Sequence, residues 1–480
     1  MTAVEERSES STDVRGFDRR LIAPMILGSI LNPINSSMLA VALVPIGKAF
    51  GAPPSETIWL VSALYLATAV GQPVVGRLVD RYGPRTLYLL GTALVGIAGL
   101  LGAFAPGLGV LILSRVLLGF GTSAAYPASM FLLRSESERT GLQSPAGVLA
   151  MLSIANQVMA VVGPTLGGAL IGVGGWHLIF TVNVPLSLAC LVLGRMSLPK
   201  LAELPASVRA RQGGGVDITG MVLFAGTLVA AMLFLMKPTV AHWYLLVLAG
   251  VVGIGFVLRE LRAAQPFIDL RVLGGNAPLL ATYGRQVLAF VTAYAFLYGF
   301  TQWLEEGRSL SASVAGLVLL PMSLSAIAIT AITGRRHQVR GKLVAGGLLQ
   351  VAACACLLLL GPHTGIWLLV VIGVLSGLPQ GLNGLANQNA LYHQADPARM
   401  ASSAGLLRTG TYLGALIAAA ANAAVFPHAA DSAGVHELAL LLLVVSVLLV
   451  IVTLTDRSLA RVDATAPDLV MAQDTSAQKG

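Results

Sequence analysis

The 480 residues carry 11% charged side chains and 56% hydrophobic ones, where soluble domains carry roughly 25% charged residues. The apolar content falls in repeated runs of about 20 residues, the length that spans hydrocarbon, and this excludes a soluble chain. The net charge of +8 sits at the junctions between those runs, so it is a topological and anionic-lipid signal and calls for no nucleic-acid partner.

Residues 1–20 are polar and charged with no apolar stretch leading to a cleavage site, so no signal peptide is expected; this segment and residues 456–480 read as disordered cytoplasmic ends. Apolar windows predict fourteen spans, at about 21–46, 57–77, 85–104, 108–131, 146–172, 177–197, 217–237, 242–260, 278–302, 312–333, 342–361, 365–391, 401–425 and 436–455. An even number puts both termini on one side. Arginines and lysines crowd the alternate junctions that share that side, among them Arg19, Arg20, Arg134, Arg139, Arg195, Lys200, Arg259, Arg262 and Arg271. The opposite loops hold little more than Lys48, Lys237 and Arg308. Both termini are therefore expected in the cytoplasm, with the chain in the plasma (inner) membrane.

Between spans two and three lies Gly76-Arg77-Leu78-Val79-Asp80-Arg81-Tyr82-Gly83-Pro84-Arg85. Two glycines permit a tight backbone and Pro84 suits the first turn of the next helix. Span four carries Arg115-Val116-Leu117-Leu118-Gly119-Phe120-Gly121 and then Pro127; span five carries Gly163-Pro164-Thr165-Leu166-Gly167-Gly168, which lets it bend and approach another helix closely. Trp176, Phe180, Asn183 and Pro185 open span six. Pro266, Asp269, Leu270 and Arg271 precede span nine, and Gln302-Trp303-Leu304-Glu305 ends it. Cys190, Cys354 and Cys356 all fall in apolar runs; Cys354 and Cys356 point to different sides of a helix, and neither a disulfide nor a metal site follows.

In order and spacing these segments resemble the signatures of the major facilitator superfamily, and specifically its fourteen-helix drug-exporter branch, from about residue 21 to 455. The resemblance implies an all-α integral membrane fold: a six-helix bundle over 21–197, two inserted helices over 217–260, and a second six-helix bundle over 278–455. The halves would rock to expose a midplane site to each side in turn. It further implies a monomeric exporter of lipophilic small molecules that needs no cofactor beyond a proton gradient. The loop segment, Gly76, Arg77, Asp80, Arg81, Gly83 and Arg85, matches a cytoplasmic gate. Asp80 is expected to meet either the N-terminal end of a neighbouring helix or the arginines of its own loop, favouring an outward-facing state. Gly163, Pro164, Gly167 and Gly168 match the antiporter motif.

The chain departs from that pattern inside the membrane. The family's helix-one aspartate aligns with Asn35, and an amide cannot release a proton; Asn35 either joins helices or lines a cavity. The second copy of the loop, Gly334-Arg335-Arg336-His337-Gln338-Val339-Arg340-Gly341, keeps its glycines and positive charge but has no acid. Three basic residues lie within spans. Arg115 fits the family's fourth-helix arginine, tied to proton coupling, or else pairs with carbonyls and amides; it is also the leading candidate to hold an anionic substrate. Arg285 and Arg408 either serve a site or snorkel to the cytoplasmic surface.

Acids are confined to span ends: Glu56, Glu305 and Glu306 outside, Asp217 and Asp269 inside. By its alignment Glu305 is the first candidate for coupling, against a plain hydrated acid. Amides at Asn156, Gln157, Gln380, Asn383, Asn387 and Gln388 either join helices or line a mixed cavity, with Tyr65, Tyr126, Tyr294, Tyr298 and Trp303 as aromatic walls or anchors. Three arginines and many amides favour neutral or anionic amphiphiles over cations. A lipid or anionic-metabolite carrier, uncoupled, is the alternative. No His-Glu-x-x-His, Gly-x-Ser-x-Gly or phosphate-binding loop occurs, which argues against an intramembrane enzyme and a primary pump.

Overall fold

The computed structural model describes residues 18–57, 59–140, 146–204, 215–236, 239–310, 312–334, 338–426 and 431–464. Both expected tails, apart from the stretches 18–20 and 456–464, lie outside the described residues, as do Arg335, Arg336 and His337 of the second loop motif. Among the described residues all regular structure is helical. Fourteen helices are long and apolar enough to cross a membrane: α1 (Arg19–Ala40), α2 (Trp59–Tyr82), α3 (Pro84–Ala103), α4 (Leu108–Thr140), α5 (Gly147–Gly174), α6 (His177–Glu203), α7 (Ile218–Met236), α8 (Val240–Arg262), α9 (Ala277–Gly307), α10 (Val314–Thr333), α11 (Val339–Leu357), α12 (Ile366–Gln394), α13 (Pro397–Val425) and α14 (Ser432–Thr455). The chain is a multi-pass membrane protein.

Two departures from the sequence reading have local causes. α4 runs nine residues beyond its apolar window because the extra turns are held by ion pairs, Glu136 with Arg139 at 2.5 Å and Arg134 with Glu138 at 3.5 Å. It is also broken at Ser123 and Ala124, between Leu108–Thr122 and Ala125–Thr140. The first span stops at Ala40, and Leu43–Phe50 forms a separate short helix that ends at Gly51 with φ 62°.

The helices pack in two halves with one repeated plan. α1 lies on α5, α2 and α3 on α4, and α3 on α6; correspondingly α9 lies on α13, α10 and α11 on α12, and α11 on α14. Such repetition is the signature of duplicated halves about a pseudo-twofold axis. The same duplication relates the two seams between the halves, α2 against α13 and α5 against α10; the first is the broader. α7 and α8 pack on each other, and α7 leans on the outer side of α2 and α13.

Chain ends and even-numbered crossings define one face of the bundle, here the terminal face. At that face α2 reaches Tyr82, the chain reverses at Gly83 with φ 88°, a conformation that needs glycine, and α3 starts on Pro84. Hydrogen bonds join the halves from this face to mid-depth: Tyr392 Oη donates to the Leu133 carbonyl (3.3 Å), Thr409 Oγ1 to Ala69 (2.7 Å), Gln157 Nε2 to Thr330 Oγ1 (3.3 Å) and Tyr412 Oη to Asn32 Oδ1 (3.1 Å). Beyond them, toward the far face, a cavity separates the halves.

Candidate functional site: a central cavity above a closed seam

The seam is built around Asp80. Its Oδ1 accepts the Ala401 N–H at 3.0 Å and its Oδ2 accepts the Ser402 N–H at 2.9 Å and the Ser402 hydroxyl. Of the two partners expected for Asp80, the structure therefore shows the helix N-terminus: Ala401 and Ser402 open the first turn of the helix Met400–Val425, whose free N–H groups and dipole suit an anion. Backbone meets backbone on either side. A Cβ at Gly76 would stand 2.5 Å from the Ala401 carbonyl oxygen, and one at Gly405 would strike the Gln72 carbonyl. The other loop residues surround this contact. Arg77 is half-buried beside Asp80, Arg81 stacks on Tyr82 at 5.4 Å, and Arg85 Nη2 donates to the Arg195 carbonyl at 2.8 Å.

Above the seam is a cavity of about 410 Å³ lined by α1, α2, α4, α5, α9, α12 and α13. Tyr65 and Tyr412, with ring centroids 5.7 Å apart, and the stack Phe290, Tyr294, Tyr298 (5.9 and 5.7 Å) form aromatic walls. Polar groups come from Asn32, Ser36, Gln72, Asn156, Gln157, Gln380 and Gln388. Several are left open: among the described residues the side-chain oxygens of Gln72, Gln157 and Gln388 have no hydrogen-bond partner. One charged side chain lines the cavity. The Arg408 guanidinium lies 4.1 Å from the centre of the Tyr126 ring, a cation–π contact that holds it without neutralising it. Among the described residues no acidic side chain lines the cavity, and none pairs with Arg408.

The structure separates the sequence candidates. Arg408, Asn156, Gln157 and Pro164 face the cavity. Asn156 also donates to the Leu152 carbonyl at 2.6 Å. Gly163 and Gly167 press α5 onto Ser37 and Met38 of α1, while Gly168 has open space around it. Arg115 and Asn35 do not reach the cavity. Asn35 and Asn183 exchange amide hydrogen bonds at 2.6 and 2.9 Å, and Arg115 donates to the Leu60 and Asn35 carbonyls at 3.2 Å each. All three are fully buried inside the first half.

Arg285 does not snorkel: it is fully buried, bonded to Asp456 at 2.7 Å and to Thr282 at 2.6 Å. Asn383 donates to Gln350 and Asn387 to Gln286, both at 3.1 Å, so these amides stitch the second half together. Asn383 also borders a small side pocket that shares Phe290, Gln380 and Gly384 with the cavity. Glu305 and Glu306 are exposed on a π turn at the far face, with Glu306 accepting from Gln302, and neither lines the cavity. Trp303 is no wall; it is fully buried with its indole donating to Ser432. The sequence reading missed Gln72, Phe290 and Tyr412, although a lone glutamine inside an apolar span was a signal for the first.

Known proteins fit this geometry. The chain is 34% identical over 400 residues to the uncharacterized MFS-type transporter YwoD of Bacillus subtilis, covering 81% of this chain and 86% of that one. It is 26% identical to the riboflavin transporter RibZ of Clostridioides difficile, covering 80% and 82% of the two chains. With the tetracenomycin C resistance and export protein of Streptomyces glaucescens it shares 27% identity over 83% of this chain and 74% of that one. Residues 25–419 match the family described as Major Facilitator Superfamily. With two duplicated halves, a central cavity and that match across most of its length, the chain belongs to the major facilitator superfamily and is a transporter, not an enzyme.

Proposed function

We propose that this transporter exports neutral or anionic amphiphilic small molecules by alternating access, driven by the proton gradient. The excess of arginine in the loops of the terminal face supports a cytoplasmic location for that face. With the seam closed there, the cavity belongs to an outward-facing conformation.

One observation carries the substrate class: the cavity holds a single fixed charge, Arg408, and no carboxylate. A cation desolvated there gains no partner, whereas an anionic group gains a charge-assisted hydrogen bond. Aromatic walls and open amide oxygens suit the apolar body and hydroxyl or N–H groups of such a molecule. A relative named for resistance and export supports the outward direction. Another named as a riboflavin transporter supports the metabolite side of a second reading, a lipid or anionic-metabolite carrier that is uncoupled.

Flux into proteoliposomes, with and without a pH gradient, tests both. The expected result is gradient-dependent transport of an anionic detergent-sized amphiphile that ethidium-like cations of similar size fail to compete. Flux indifferent to the gradient selects the uncoupled carrier. Tight cation binding that depends on Glu305 overturns the substrate class. The double variant Glu305→Gln, Glu306→Gln assigns coupling to these exposed acids if it abolishes the gradient dependence, and leaves them as hydrated surface acids if it does not.

A further inference from the structure

The inserted helices bury a pair of carboxylates that the cavity does not use. Asp217 stands just before α7 and Glu260 in the last turn of α8; they are 8% and 1% exposed. Asp217 Oδ1 accepts the Gly220 N–H at 2.9 Å and Arg259 Nη2 at 3.2 Å, and Glu260 Oε2 accepts the Ile268 N–H at 3.0 Å. The other oxygen of each, Asp217 Oδ2 and Glu260 Oε1, is buried with no donor. Both turn toward one point. A Cβ built on Gly220 would strike Glu260 Oε1 and stand 3.0 Å from Asp217 Oδ2.

Two ionised carboxylates do not hold bare lone pairs against each other out of water, because repulsion and desolvation both oppose it. A single hydrogen between them answers both oxygens at once. We propose that Asp217 and Glu260 form a proton-binding site holding one exchangeable proton, carried on Glu260 Oε1 and donated to Asp217 Oδ2. Asp217 is the ionised member, since Arg259 and the first N–H groups of α7 favour its charge.

A metal ion fits this donor set poorly. Magnesium and calcium want about six oxygens, the site offers two, and among the described residues no three His, Cys, Asp or Glu side chains gather to hold a metal. Arg259 and the positive end of α7 oppose a cation further.

The site borders the seam. Among the described residues, the charged groups within electrostatic reach of Glu260 include Asp217, Arg259, Arg399 from the start of α13, and Arg77 from α2; Arg399 in turn lies 3.8 Å from Asp269. α7 leans on both α2 and α13, so opening the seam would carry either Arg399 or Arg77 away from Glu260 and so tighten the pair's hold on its proton. By reciprocity, protonation favours the open seam. The site thus senses pH on the terminal face whatever the cavity carries.

Infrared difference spectroscopy of the purified full-length protein, titrated across neutral pH, tests the proposal without a transported substrate. The expected result is one protonated-carboxyl band that Glu260→Gln and Asp217→Asn each abolish. In either variant the new amide supplies the hydrogen that the facing oxygen lacks, so both should stay folded by size exclusion and lose the pH dependence of their melting temperature. Absence of such a band from the unaltered protein overturns the proposal, whether or not the variants fold. So does a band that survives Glu260→Gln, or one displaced at constant pH by sodium or magnesium, which would make the pair a cation site.

Discussion

The seam and the cavity are adjacent layers of the same helices, and they treat polar groups in opposite ways. At the seam Asp80 uses both oxygens on the N–H groups and hydroxyl of the opposite half. In the cavity the amide oxygens of Gln72, Gln157 and Gln388 have no partner among the described residues, and Arg408 has an aromatic face in place of a carboxylate. A polar group already satisfied by protein closes a structure. One left open waits for a ligand. Arg115 fits neither layer: it is buried in the first half with Nε and Nη2 on carbonyls and, among the described residues, no partner for Nη1, although by residue type it matches Arg408.

Breaking the seam should have the largest effect. Asp80→Ala leaves two buried N–H groups unpaired and removes the anion from a helix N-terminus, at about 2–3 kcal/mol, or roughly 30- to 150-fold in the closed-to-open ratio. Transport should fall by a comparable factor while the protein stays folded in the membrane. Spin-label distances between the terminal ends of α2 and α13 would read the opening directly, and unimpaired flux with unchanged distances would remove the seam from the mechanism.

Emptying the cavity of its charge comes next. Arg408→Ala should weaken binding of an anionic amphiphile about tenfold, the worth of one charge-assisted hydrogen bond, and barely alter a neutral analogue of the same shape. Equal losses for both molecules would show that Arg408 acts through packing on Tyr126 and not through its charge. The smallest effect on transport is expected from Arg115→Met. It removes the guanidinium's bonds to the Leu60 and Asn35 carbonyls, which keep their own helical N–H donors, at about 1–3 kcal/mol of stability, visible as a lower melting temperature, with flux per folded molecule near the parent value. A selective loss of anion transport in this variant would break the distinction between an arginine that lines the cavity and one buried away from it.

Span number was legible because it follows from length and composition, which local sequence records, whereas the two halves were expected only from the family resemblance and the second copy of the loop motif. The site was legible only in part. Arg285 and Arg408 look alike in sequence, each a lone arginine shallow in an apolar helix, and only packing turns one onto Asp456 and the other over Tyr126. Asn35 was visible as a substitution, but its partner Asn183 is 148 residues away, and nothing local records which helix faces will meet. The break at Ser123 and Ala124, by contrast, had a local signal in Pro127, which has no N–H for the Ser123 carbonyl four residues back and crowds it; there α4 passes close to α2 and α3, with Ser123 against Gly71 and Ala124 against Gly91.

The unequal dressing of the two seams bears on the route a lipophilic molecule takes. α7 covers the α2–α13 seam on its lipid side, while among the described residues neither inserted helix packs on α5 or α10. The molecule is therefore symmetric in its fold but one-sided toward the bilayer. If the solute is lipophilic, as proposed, it meets one flank shielded from the bilayer by α7 and another, between α5 and α10, that among the described residues the inserted helices leave uncovered.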